Sequence, residues 1–295
     1  MRIETLATCH NRREKTLQAL ADLHAQELPE GVTIGHTIVE DGSTDGTSEA
    51  VREAFPEVEI IHGDGGLFWA GGMRYGWNES VNGKSFDYLL VYNDDVKLNF
   101  DTIARLLKAS NTYLGDGGSG AHVVVGSFMD NKGDISYGGV IRSSRLHPLR
   151  FKQAKPPAER YALADTTNMN ACLISKEALD CVGFLSEYFI HTGADYDYGL
   201  KLRAHGGSVV MAPGCIGVCN RNEVEASSSE QGISIGERYR RLLGVKEQPL
   251  AQRKEYFKRY GGRLWPVFFL LPYFSLPFKH YMWRRKSVQK TTDSI

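Results

Sequence analysis

Tyr88-Leu89-Leu90-Val91-Tyr92-Asn93-Asp94-Asp95 decides the fold. Five apolar or aromatic residues run together and are stopped abruptly by an amide and two acids. A short continuous apolar run ended by turn formers is the pattern of a buried strand. On either side the chain alternates. Residues 3–8, 33–39 and 58–61 are further β-rich runs. Residues 11–26, 44–55, 71–79 and 100–110 carry helical spacing, with Leu17, Leu20 and Leu23 on one face of the first helix and Thr44 placed to cap the second. Strands alternating with helices predict parallel βαβ units in an open α/β sheet, where ligands bind outside the carboxyl ends of the strands. The second half has strand-like runs at 123–128, 135–141 and 171–174, then a helix at 198–205 stopped by Gly206-Gly207, and a strand at 208–212. There is no internal repeat.

At 295 residues, with 42% apolar and 24% charged, the chain is long enough for one large α/β domain with appendages or two small domains, and gross disorder is excluded. Five cysteines without tight pairing make no disulfide framework. Cys215 and Cys219 lack the second pair that a structural zinc site needs. Reduced thiols fit a cytoplasmic enzyme, and Met1-Arg2-Ile3-Glu4-Thr5 has no apolar signal region.

The formal net charge of zero conceals an asymmetry. Residues 236–290 carry fourteen Lys or Arg against three Glu, whereas the chain up to residue 235 has 21 basic and 31 acidic residues. An acidic body, residues 1–235, thus carries a basic extension, residues 236–295. Within the extension, residues 264–278 are apolar and aromatic with Ser275 as the one polar side chain. That stretch falls short of the roughly 20 residues that a spanning helix needs, and Pro266, Pro272 and Pro277 are expected to break a helix through it. Lys258, Arg259 and Arg263 precede it; Lys279, Arg284, Arg285 and Lys286 follow it. A greasy segment between cations suits a helical tail lying in a membrane interface, with a buried packing or dimer segment as the other reading. Cations that flank a greasy stretch do not make the polar stripe that nucleic acid requires.

Three constellations carry chemistry. In Val39-Glu40-Asp41-Gly42-Ser43-Thr44-Asp45-Gly46-Thr47, acids at a strand's carboxyl end can accept hydrogen bonds from a base N–H or ribose hydroxyls, or can simply cap a turn. In Asn93-Asp94-Asp95, adjacent carboxylates at a buried strand end repel unless something compensates. A Mg²⁺ or Mn²⁺ ion shared with phosphates is one solution, and a capped surface turn is the bland one. In His191-Thr192-Gly193-Ala194-Asp195-Tyr196-Asp197-Tyr198, acids before a helix are caps, or one of them is a general base.

Together these motifs resemble the family 2 glycosyltransferases with the GT-A fold, a Rossmann-like mixed open sheet flanked by helices. The resemblance covers roughly residues 1–220. Gly65-Gly66-Leu67-Phe68-Trp69-Ala70-Gly71-Gly72-Met73 and residues 189–203 look like a bacterial branch that builds surface polysaccharides. The resemblance implies an inverting transfer from a nucleotide-diphosphate sugar, a UDP- or dTDP-sugar, to a glycan acceptor; the greasy, cationic tail makes a lipid-linked oligosaccharide the expected acceptor. It implies Thr8, Asn11 and Arg12 near the nucleotide, Asp41 on the base, Asp94 and Asp95 as the Asp-x-Asp-like motif with Asp95 on the metal (Mn²⁺ or Mg²⁺), and Asp195 as catalytic base. Ala194 stands where the family often has Glu. Met73-Arg74 stands where an Arg-Asn pair often approaches the diphosphate. A metal-ligating His is missing near Cys219 or Asn220. Beyond the resemblance, Trp69 is placed to stack on a sugar or to be buried, Asn168 and Asn170 to touch donor or acceptor hydroxyls or simply to form a polar strand entrance, His191 to line the acceptor side or to be structural, and Asp197 to line the acceptor side. The expected setting is the cytoplasm, peripheral to the inner face of the cell membrane, with a homo-oligomer as a further possibility. A nucleotidyltransferase would want a Gly-rich phosphate loop after strand one, and Cys9-His10-Asn11-Arg12-Arg13 has no glycine. A non-catalytic sugar-nucleotide-binding module would not need Asp195.

Overall fold

The computed structural model describes residues 1–221, 227–230, 232–244, 247 and 249–292. The chain packs as two compact units. One comprises Met1–Ser143, Phe151–Ile190 and Ala194–Arg221; the other comprises Ser144–Arg150, His191–Gly193 and Asn222–Ile295.

The first unit opens with β1 (Arg2–Cys9), α1 (Arg13–His24), β2 (Thr33–Glu40), α2 (Thr47–Ala54), β3 (Glu59–His62) and α3 (Phe68–Glu79). It continues through β4 (Tyr88–Tyr92), β5 (Lys97–Leu98), α4 (Thr102–Gly115), β6 (His122–Met129), β7 (Ile135–Tyr137), β8 (Gly139–Arg142), β9 (Phe151–Gln153), β10 (Ala162–Ala164), β11 (Thr166–Thr167), β12 (Ala171–Ser175), α5 (Lys176–Val182), α6 (Ala194–Ala204) and β13 (Ser208–Val218). The main sheet runs β10-β13-β6-β12-β4-β1-β2-β3, and a small second sheet is β11-β8-β9. β3, β2, β1 and β4 are mutually parallel, as the βαβ pattern predicts. β12 then pairs antiparallel with both β4 and β6, so the sheet is mixed. β4 lies between β1 and β12 and is buried along its whole length, which accounts for its unbroken apolar run. The main core, including Leu23, Leu90, Leu106, Val124, Phe128 and Leu173, lies on one side. A smaller one, of Cys9, Leu20, Ile38, Val51 and Val58, is gathered on β1, β2, α1 and α2.

Glycines set how closely α3 lies on the sheet. A Cβ at Gly72 would stand 2.4 Å from Thr8 Cγ2, and one at Gly76 would stand 2.6 Å from Val39 Cγ2 and 2.7 Å from Leu6 Cδ1. Leu6 and Val39 are fully buried and have nowhere to go. Gly76→Ala should therefore lower stability. Overpacking of about 1–3 kcal/mol outweighs the roughly 1 kcal/mol gained by removing a helical glycine. A thermal melt checks it, and an unchanged or raised Tm would show that the helix can lift away.

Three helix starts need correction; one is α6, which begins at Ala194 rather than Tyr198 and takes Asp195 and Asp197 into its first turn. The second helix starts at Thr47: Gly46, at φ 77°, is its N-cap, and Asp45 rather than Thr44 takes up the first helical N–H, Thr47 N donating to Asp45 Oδ1 at 3.1 Å. The third helix begins at Phe68, three residues before the sequence signal, through the carboxylate of Asp41 described below.

The second unit contains α7 (Ile235–Leu242), α8 (Leu250–Tyr260) and α9 (Trp265–Thr292). Its interior holds Leu242, Tyr256, Phe257 and Leu276, together with Arg238, whose Nη1 donates to Ser228 O and whose Nε donates to His280 Nδ1. The prolines do not break α9. Pro266 falls in the first turn, where its missing N–H is not needed. Pro277 leaves the carbonyl of Tyr273 without its helical donor, and Tyr239 Oη supplies one at 2.8 Å. Ser275 Oγ donates back to Pro272 O at 3.2 Å. The side chains of Lys279, Arg284, Arg285 and Lys286 lie outside the described residues. Among the described residues no helix is long and apolar enough to cross a membrane.

Candidate active site

Four chain segments meet at the carboxyl ends of the parallel strands. After β1 the backbone turns through Asn11, at φ 51°. This turn is laced to the one after β2. Asn11 N donates to Ser43 Oγ (2.9 Å), Thr44 N to Asn11 Oδ1 (2.8 Å) and Arg13 N to Asp45 Oδ2 (3.0 Å). His10 Nδ1 lies 2.5 Å from Asp41 O. Glu40, buried, accepts from Ser43 N. Asn11 thus fixes a loop. Ser43 and Asp45, which sequence reasoning passed over, do the fixing. Their signal was in the quoted motif, since Ser and Asp are the residues that bond nearby backbone in turns.

Asp41 is buried, and both carboxylate oxygens are engaged. Oδ1 accepts from Gly65 N (2.9 Å); Oδ2 accepts from Leu67 N (3.0 Å) and Phe68 N (3.3 Å). A carboxylate offers about four acceptor directions. Three of them hold the glycine-rich loop and the first turn of α3, where negative charge is favoured by the helix dipole. Thr8 is buried under α3 against Gly72.

Beyond β4, Asp94 and Asp95 converge on a single cation. Arg12 Nη1 donates to Asp94 Oδ1 at 2.9 Å and to Asp95 Oδ2 at 3.0 Å. Asp94 is only 5% exposed. Burial pushes its pKa up to about 6; the Arg12 guanidinium pulls it down, and the charge of Asp95 adds to the rise. Asp95 is more open. Its Oδ1 lies 3.9 Å from Cys219 Sγ, just past the end of β13, and Cys219 Sγ in turn lies 3.6 Å from Asn170 Nδ2. Burial, followed by the charge of Asp95, lifts the Cys219 thiol to about 12. Asn220 turns away, its Oδ1 accepting from Asn131 N. Among the described residues, no three His, Cys, Asp or Glu gather in a metal-binding group.

Residues 168–170, leading into β12, connect this cluster to the next. Asn93 N donates to Asn170 O (3.0 Å), while Asn168 Nδ2 reaches Asp195 Oδ2 at 3.5 Å. Asp195 stands in the first turn of α6 and accepts from Tyr196 N at 2.8 Å. It is partly open to solvent, yet burial pushes its pKa up to about 6 against those two hydrogen bonds.

Two sequence-selected residues are engaged by the protein itself. Arg74 donates through Nη1 to Ser186 O (3.0 Å) and Phe189 O (2.5 Å), so it clamps the 183–190 loop to α3. Asp197 is fully buried and accepts from Ser186 Oγ, which removes it from any acceptor surface. Successive helical positions point 100° apart, so Asp195 and Asp197 cannot share a face. His191 belongs to the second compact unit. Trp69, in the first turn of α3, keeps part of its surface exposed.

Comparison with known proteins decides the family. The family model described as glycosyl transferase family 2 matches residues 6–180. The chain belongs to that family. Comparison with curated proteins gives no match. Among solved structures, a mannosyltransferase from Pyrobaculum calidifontis, in complex with GDP-Man and Mn²⁺, is similar with a TM-score of 0.55 at 15% identity, over 99% of this chain and 75% of that one. TarS from S. aureus is similar with a TM-score of 0.52 at 12% identity, over 88% of this chain and 43% of that one. At such identities the likeness is one of fold: this family 2 chain has the GT-A architecture, a mixed open α/β sheet flanked by helices.

Proposed function

We propose that this family 2 glycosyltransferase moves a sugar, with inversion, from a nucleoside-diphosphate donor to a hydroxyl of a glycan acceptor carried on a lipid. One observation carries the reading: a carboxylate pair at the end of β4 and a lone carboxyl at the start of α6 are joined through residues 168–170. Family membership favours sugar transfer over nucleotidyl transfer. Residues 1–235 form the catalytic body in this reading, and residues 236–295 an extension.

The donor set fits a divalent ion. Asp94 Oδ1 and Asp95 Oδ2 already share one cationic nitrogen, so their oxygens point at a common position. Such an ion, Mn²⁺ or Mg²⁺, would be held chiefly by Asp95 and draw its remaining ligands from donor phosphates and water. Bound there, it would neutralise charge on the leaving diphosphate. The mannosyltransferase neighbour, with its Mn²⁺, supports that assignment by analogy. Asn11 and Arg12 flank the donor, with Asn168 and Asn170 beside the reacting sugar and Trp69 a stacking surface for it.

In the transfer step, the acceptor oxygen bonds to the anomeric carbon as the bond from that carbon to the diphosphate oxygen breaks. The acceptor's proton passes to Asp195, and the nucleoside diphosphate departs with the bonding pair. A base works best with a pKa near working pH, and burial has moved Asp195 towards it. The carboxylate form is needed, so kcat/KM should fall about tenfold per pH unit below about 6 and level off above it. A pH–rate profile flat from 5 to 7, about two units around that value, would remove Asp195 from this role. The function itself is tested by incubating the protein with a panel of nucleotide sugars and measuring nucleoside diphosphate release with and without Mn²⁺. No release from any donor, with or without acceptor, would sink the reading.

A further inference from the structure

Helix α9 is apolar on opposite sides, a pattern that belongs to a helix covered all round. Its inner side is accounted for: Leu276 is buried, Phe269 packs against Phe257 of α8 with ring centroids 6.2 Å apart, and Tyr239 bonds the carbonyl of Tyr273. The outer side is exposed. Val267, Leu271, Phe274 and Phe278 follow one another at spacings of four, three and four, which sets them in one line along the helix. Phe274 and Phe278 are 77% and 68% exposed. The line runs for about 17 Å at 1.5 Å per residue. A contiguous exposed apolar strip of this kind marks an interaction surface.

Charge selects the occupant. From Tyr256 to Thr292 the sequence has no acidic residue, while Lys258, Arg259 and Arg263 lie before the strip and Lys279, Arg284, Arg285 and Lys286 follow its end. Lys258 and Arg263 are exposed. Two copies packed strip to strip would bring cations together without the acidic partners that pairing helices use. A second element of the same unit adds to the surface. His147 packs on Phe268 of α9 with centroids 4.3 Å apart, and beside it Arg145 and Leu146 are exposed.

We propose that the outer strip of α9 docks on an anionic lipid surface, with the helix axis lying along the plane of that surface. Apolar side chains enter the headgroup–acyl boundary, and the flanking cations meet lipid phosphates. The sequence expected an interfacial segment broken by its prolines. The continuous helix is what aligns these side chains on one side.

The test is flotation of the full-length protein with phosphatidylcholine vesicles, with and without about 30 mol% phosphatidylglycerol. No sugar donor is present, so the outcome does not depend on the transfer reaction. The protein should float with the anionic vesicles, weakly or not at all with the neutral ones, and lose binding as salt rises from about 0.1 to 0.5 M. The surface variant L271N/F274N/F278N should bind at least tenfold more weakly with an unchanged Tm. K258Q/R263Q should bind more weakly at low salt only. The proposal is overturned if the native protein ignores anionic vesicles, or if the triple variant binds as well as it does. It is equally overturned if light scattering finds a dimer that the triple variant turns into monomer without any vesicle binding.

Discussion

Asp195→Asn should reduce sugar transfer by about 10²- to 10⁴-fold, the range a general base contributes, and should at the same time raise the melting temperature. The two effects share one cause. The carboxyl of Asp195 has a pKa of about 6 against an ordinary 3.8, because burial disfavours its charged form. A carboxyl raised on folding favours the fold only while protonated. Its contribution is complete below the unfolded value and is lost as pH rises through about 6. At pH 7 the charge therefore costs roughly 3 kcal/mol of stability. Asparagine has the same shape, and its carbonyl can still accept from Tyr196 N, so the variant relieves that cost without leaving a cavity. A gain of a few degrees in Tm is expected for a chain of this size. Donor affinity should stay within a few-fold of the native value, because the base acts on the acceptor. Melting curves at pH 5 and pH 8 check the linkage, and the gain should shrink at the lower pH. A variant that transfers sugar normally, or one that melts lower than the native protein at pH 8, would end the assignment.

Asp95→Ala should abolish metal-dependent donor binding while sparing the fold. Arg12 remains paired with Asp94 at 2.9 Å when Asp95 is removed, so no buried charge is left alone. The lost Arg12–Asp95 contact involves a guanidinium that is 42% exposed, and such pairs are worth little in stability. Binding is different, because two carboxylate oxygens aimed at one position become one. Calorimetry with nucleotide sugar should show native affinity rising steeply with Mn²⁺, and the Asp95→Ala protein should bind on the order of 100-fold more weakly in Mn²⁺. Equal affinities in Mn²⁺ would place the ion elsewhere or show that Arg12 alone neutralises the pair. Asp94→Ala is the harsher companion, since that carboxylate is buried and its loss leaves Arg12 facing a hole.

Much of the first unit was legible because local pattern and environment agree there. Residues 88–92 are apolar throughout since β1 and β12 flank them within a sheet that is covered. The shortest strands were harder. β9, β10 and β11 have two or three residues each, too few for a period to declare itself. Misreadings came where a partner distant in sequence overrides a local signal. Asp41 caps a helix that starts 27 residues later. Arg74 is held by carbonyls more than a hundred positions away. Pro277 is tolerated because Tyr239 feeds the carbonyl it orphans. Asp197 and Asp195 are two positions apart and chemically identical, yet one is fully buried on Ser186 while the other keeps an opening to solvent.

The sequence by itself determined the family, the alternation of strands and helices, and the acids worth watching, since residue type, order and spacing are properties of the chain. The tertiary structure alone decided which of those residues have their hydrogen-bonding capacity free for a ligand. It engaged the carboxylates of Asp41 and Asp197 and one nitrogen of Arg74, gathered Arg12, Asp94 and Asp95 around one point, and raised the pKa of Asp195. Desolvation and partner geometry set what a carboxylate or a guanidinium can do, and both depend on neighbours that only folding brings within reach.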